Sequence, residues 1–145
     1  PDPWAADTLA AILATRRDRI VEHWYGKVSP VEDVDVVVLP EGAHRLSFTD
    51  YGIRDGGWTV AETRAWPWLK WPGVDELRSV PLRWIGGARA AVDLPPPPAG
   101  LSWPAGAFAT LEVRIVRDGS GVEPRPARIY LRWSGDRYEV AGLEH

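Results

Sequence analysis

Apolar residues recur along this chain with two different periods, and the change of period divides it. Near the start, Leu9, Ile12, Leu13, Ile20 and Trp24 fall at roughly helical spacing on one face, which Arg16 and Arg17 interrupt. Asp2-Pro3 offers an N-cap followed by proline at the first helical position, and Gly26 offers a stop. The spacing predicts a helix over about 3–25 that lies across a sheet.

From Val34 onward the pattern is that of strands. Val34 to Leu39 is a β-branched run closed by Pro40. In the stretch that follows, Asp55-Gly56 is a hairpin-turn signal, and a two-residue turn there sets Ile53 against Trp58, Tyr51 against Val60 and Thr49 against Glu62. The neighbouring register would oppose Asp50 and Glu62, a like-charge pair, so the first is preferred. Gly86-Gly87 predicts a second hairpin with Trp84 facing Arg89, a cation–π arrangement. Pro95 to Pro98 cannot form a central strand and read as a surface crossover ending near Gly106.

The last third is the most regular. Leu111, Val113 and Ile115 alternate with Glu112 and Arg114, inward against outward. A turn at Gly135-Asp136 pairs Trp133 with Tyr138 and Leu131 with Val140 on one face, and Arg132 with Glu139 on the other. An aromatic pair, an aliphatic pair and an ion pair thus agree on one register.

The pattern as a whole predicts an α+β protein, mainly β: an N-terminal helix packed on an antiparallel meander of about eight strands, forming a sandwich or a strongly curved half-barrel. One domain spans 1–145, with the β-rich part over 34–143. Residues 143–145, Leu-Glu-His, read either as the end of a strand or as a purification-tag stub.

Composition narrows the function. The chain has no cysteine, which excludes disulfides and thiolate metal sites. A net charge of -3 argues against nucleic-acid binding, and no apolar run is long enough for a membrane span. Asparagine and glutamine, common readers of sugars and bases, are also absent. The absence of methionine predicts a processed form or an excised domain. Basic residues are 15 Arg to 2 Lys, a sign of GC-rich coding that also enriches tryptophan.

Candidate chemistry is sparse. His23, His44 and His145 show no metal-ligand spacing. Glu32, Asp33 and Asp35 lack the glycine and bidentate glutamate of a calcium loop and read as the acidic entry to a strand. Ser47, Ser102 and Ser134 stand in no nucleophile motif, and no phosphate loop is present. No cofactor is expected. Asp50, Glu62 and His44 are the residues from which a carboxylate-dependent hydrolase would be built.

The segment from Ala65 to Gly73, AWPWLKWPG, poses the sharpest choice. Either Trp66, Trp68 and Trp71, with Trp58 and Tyr51 nearby, form an aromatic platform for a carbohydrate, or the segment is structural. The structural reading is preferred and places at least two of the three indoles in the core. The function expected is a non-catalytic accessory or interaction domain of a bacterial extracytoplasmic protein, periplasmic or secreted, with a protein or glycan partner. The platform is the first alternative and the hydrolase the second.

Overall fold

A computed structural model describes residues 3–145. The protein is mainly β, with an N-terminal helix and two antiparallel sheets packed as a sandwich. Helix α1 (Pro3–Tyr25) precedes β1 (Val31–Val38), β2 (His44–Asp50), the short α2 (Tyr51–Asp55) and β3 (Thr63–Lys70). Then come β4 (Arg78–Ser79), β5 (Leu82–Gly86), β6 (Arg89–Leu94), β7 (Ala109–Arg117), β8 (Ala127–Trp133) and β9 (Tyr138–Glu144). One sheet has the order β1-β2-β6-β5 and the other β4-β3-β7-β8-β9. The capping role expected of Asp2 lies outside the described residues.

The core is the row of inward side chains from both sheets. Leu46, Phe48, Val92 and Leu94 of the first meet Leu69, Leu111, Val113, Ile115, Ile129 and Leu131 of the second. β7 alternates buried and half-buried side chains along its whole length, as its sequence requires. The β8–β9 hairpin pairs Trp133 with Tyr138, Arg132 with Glu139 and Leu131 with Val140, as expected. The prolines from Pro95 carry the chain between the sheets, from β6 to β7.

Three expectations change. The hairpin centred on Asp55-Gly56 does not form: Tyr51–Asp55 is helical, and β2 and β3 belong to different sheets. The cause is local. The Asp50 carboxylate accepts the Gly52 N–H at 2.8 Å and starts α2. Glu62 accepts the Thr59 N–H at 2.9 Å in a capping box that opens a 3-10 turn. Asp50 ends β2 opposite Val31, and both carboxylates bond nearby backbone N–H groups that a continued hairpin would have used. The second hairpin does form, but through a bulge that sets Trp84 opposite Ala90 and Gly86 opposite Arg89. Arg89 donates to Ser47 Oγ at 2.7 Å instead of stacking on Trp84.

The third change concerns α1. It does not lie across a sheet but meets the rest of the chain mainly through α2. Leu9, Ile12, Leu13, Ile20 and Trp24 are all exposed. The two sheets satisfy each other's apolar faces, and the arginines within the helix stripe disfavour burial.

Each end of the sandwich is locked across the sheets. At one end Asp50 of β2 and Arg117 of β7 form a buried two-pronged ion pair, at 2.8 and 2.5 Å, and Arg117 also donates to Thr63 Oγ1 at 2.8 Å. Gly52 is required beside it, because a Cβ there would lie 2.1 Å from the Arg117 guanidinium. At the other end Trp71 Nε1 donates to the Tyr138 hydroxyl at 2.9 Å, which donates onward to the Pro95 carbonyl at 3.0 Å. The Trp133 ring stands edge-on to Tyr138 at 4.8 Å, and His44 packs against both.

Burial pushes the Tyr138 hydroxyl up to about 12, against the opposing pull of the Trp71 hydrogen bond. The unfolded hydroxyl ionises near 10.0, so above that pH the native state holds a proton that the unfolded state has lost. The stabilisation is complete below this point and declines as pH rises through the folded value. Urea unfolding is expected to show stability falling by up to about 1.4 kcal/mol per pH unit above the unfolded value. Tyr138→Phe should remove that part of the slope, at a cost of about 1–3 kcal/mol at neutral pH for the stranded Trp71 N–H. Identical pH profiles for the two proteins would contradict this account.

Candidate functional site

The tryptophan-rich segment spans the end of β3 and the turn after it. In β3, Thr63, Pro67 and Leu69 point into the core, and period-2 alternation sends Arg64, Trp66, Trp68 and Lys70 to the outer face. Proline is tolerated within the strand for a definite reason. The Pro67 carbonyl accepts from Val80 N at 3.2 Å, so its nitrogen faces the same side, where β4 is only two residues long.

The expectation that at least two of the three indoles lie in the core is therefore corrected. Trp71 is buried at 4% exposure, Trp68 is half-buried, and Trp66 is 42% exposed. Pro67 takes the inward position, and its neighbours on either side must face out.

The five aromatic residues considered as a platform fall in three places. Trp71 belongs to the Tyr138 lock. Tyr51 and Trp58 sit at the opposite end, where the Arg54 guanidinium lies 3.4 Å from the Tyr51 ring and that of Arg117 lies 5.2 Å from Trp58. β2 spans these two ends, so they are separated by about 20 Å at roughly 3.3 Å per residue. Trp66 and Trp68 alone share a surface, the outer face of the five-stranded sheet.

That face holds residues that inspection of the sequence did not single out. The registers place Arg114 opposite Trp66, and Glu112 between Trp68 and Arg128. The Arg114 guanidinium lies 5.9 Å from the Trp68 ring and pairs with Glu123. Arg128 donates to Glu112 at 3.0 Å. Tyr130, two positions further along β8, donates to Glu144 at 2.6 Å, and that bond raises its hydroxyl pKa. The exposed Phe108 ring stands edge-on to Tyr130 at 6.3 Å. Tryptophan, tyrosine and arginine are the residue types that dominate binding energy at protein interfaces. The alternation of β7 already sent Glu112 and Arg114 outward; the missing information was that β7 pairs with β3.

The hydrolase constellation does not assemble. Asp50 is held by Arg117 inside the sandwich, and His44 lies at the far end of the same strand. Glu62 caps Thr59, and those bonds hold its carboxyl below the usual range, whereas a general acid needs the opposite shift. Ser47 accepts from Arg89, and Ser134 is tied into its own turn. Glu32 pairs with His145, and Asp33 with Arg54. Among the described residues, no group of three or more acidic or histidine side chains is placed to hold a metal ion.

Comparison with known protein families, curated proteins and solved structures finds no significant match to this chain. Its class is defined by the fold alone: an α+β sandwich with a projecting N-terminal helix.

The three indoles should separate in a stability measurement. Trp71→Ala is expected to cost about 3–5 kcal/mol in urea unfolding, as for a core aromatic. Trp66→Ala should stay within about 0.5 kcal/mol of the parent, as surface changes do. Equal losses at both positions would show that Trp66 is part of the core.

Proposed function

We propose that this chain is a non-catalytic interaction domain, an accessory module of a bacterial extracytoplasmic protein, periplasmic or secreted. The observation that carries the reading is the state of α1. The helix has 23 residues, and side chains from Trp4 to Ile20 are exposed throughout. Leu13 is 55% and Ile20 60% exposed. A helix of this kind gains little from its own hydrogen bonds in water and is stabilised mainly by burying an apolar face. The sandwich does not provide that burial, so a surface outside the described residues is the natural seat for the stripe. The arginine-rich composition supports the bacterial part of the proposal.

A second reading is favoured by one feature, the outer sheet face. Trp66 and Trp68 stand two residues apart there, a spacing suited to stacking on a sugar chain or anchoring a partner. This retains the aromatic platform in a reduced form, built on Trp66 and Trp68 with Arg114 and Tyr130. Among the described residues, no helix is long and apolar enough to cross a membrane.

Site-specific photocrosslinking in the producing cell tests the proposal. A photoreactive residue at Leu13 should give one discrete adduct, and one at Thr15, about 160° around the helix, should not. Diffuse or absent labelling at both positions would contradict it. A discrete adduct only from Trp66 would move the site to the sheet face.

A further inference from the structure

We infer that the sandwich is open along one side and that the opening accepts an extended strand from a partner polypeptide. This opening lies between β1 and β9, each the outermost strand of its sheet. It is a groove of about 400 Å³ lined by four valines of β1 and β9 and Tyr138, together with the charged Asp35, Arg137 and Glu139. Two independent features of the groove call for the same occupant.

The first is the position of the apolar side chains. Val38 is paired with His44 and Val140 with Leu131, both partners buried, so both valines belong to inward rows. They are nevertheless 53% and 38% exposed. Side chains directed into the space between two sheets are normally covered from beyond the edge strand; here the described residues cover them only in part.

The second feature is the backbone. β1 pairs with β2 on one side only, and no loop or helix among the described residues bonds to Val36, Val37 or Val38 on the other. An edge strand is commonly protected by charge, proline or a bulge. β1 has such protection in its first half, where Glu32, Asp33 and Asp35 are acidic and the register shifts at a bulge with Asp33 at φ 51. Its second half, Val36-Val37-Val38, has none.

Unpaired N–H and C=O groups are matched by another backbone, and an inward apolar row by apolar side chains at alternate positions. Together they specify an extended segment with period-2 hydrophobicity, added by strand augmentation. Of the charged groups lining the groove, Arg137 and Glu139 pair with each other, whereas Asp35 has no ion pair among the described residues and favours a basic residue at its end of the segment. A second copy of the fold is a poor occupant. Its own β1 arrives with β9 beside it and cannot enter between the sheets, whereas a free segment can. The inference is independent of α1, because the groove and the helix lie on different elements.

The test selects a displayed library of random 12-residue peptides on the full chain and synthesises the enriched ones. They are expected to alternate apolar and polar residues and to slow amide exchange in Val36–Val38. Val38→Lys, or alternate N-methylation of the peptide, should weaken binding at least tenfold. Val140→Lys, on the facing strand, should do the same should Val38→Lys disturb folding. Ile85→Lys, on the opposite edge of the first sheet, should leave binding unchanged. Failure to enrich any peptide, or binding that survives both groove substitutions, would overturn the inference. Concentration-dependent dimerisation that protects the same amides would assign the groove to a second copy instead and would equally overturn it.

Discussion

The arrangement of this protein depends on one buried ion pair. Asp50 closes β2 in one sheet, Arg117 closes β7 in the other, and their side chains are 0% and 1% exposed. Removing two charges from water costs several kcal/mol per ion, and only well-directed bonds offset that. Here the carboxylate takes both guanidinium prongs and the Gly52 N–H, while Thr63 takes a further bond from Arg117. The pair therefore fixes more than the spacing of the sheets. It sets where α2 begins, requires glycine at position 52, and orients the start of β3 in the second sheet. The α2 that it starts is the element α1 meets most, while the chain just after α1 is held by backbone bonds to Arg125.

A polar lock at one end and the Trp71–Tyr138 lock at the other close the core without α1. The consequence is a division of roles. Groups that could have served catalysis are used in construction: Asp50 in the ion pair, Glu62 in a cap, His44 packed between two aromatic rings. Among the accessible groups are apolar and aromatic ones: the stripe on α1, Trp66 and Trp68 on the outer sheet face, and the valines at the β1–β9 opening. These surfaces are the ones the proposed interaction domain would use.

How much of this was legible in the sequence follows from the range of the interactions. Period-2 alternation located β7, and cross-strand chemistry fixed the β8–β9 register, because both signals lie within a few residues. The hairpin expected at Asp55-Gly56 failed where two side-chain caps outcompeted a turn signal. The orientation of Trp66 and Trp68 was misjudged because the face was inferred from the preceding segment rather than from Pro67, which takes the inward position. Arg117 could have been noticed: it continues the inward series Ala109, Leu111, Val113, Ile115. A charge in that row implies a buried partner, but its identity, Asp50, depends on the contact between sheets, which no local pattern encodes. The exposure of the α1 stripe was hidden for the same reason, since periodicity shows that a face exists and not what covers it.

A double-mutant cycle on Asp50→Ala and Arg117→Ala, read by urea unfolding, tests the central claim most directly. Each single substitution strands a buried charge and is expected to cost about 3–5 kcal/mol. The double variant should lose clearly less than the sum, with a coupling energy of about 2–3 kcal/mol. Additive losses, or single losses under about 1 kcal/mol, would show that the sheets are held together by their apolar faces alone and that the ion pair is incidental to the fold.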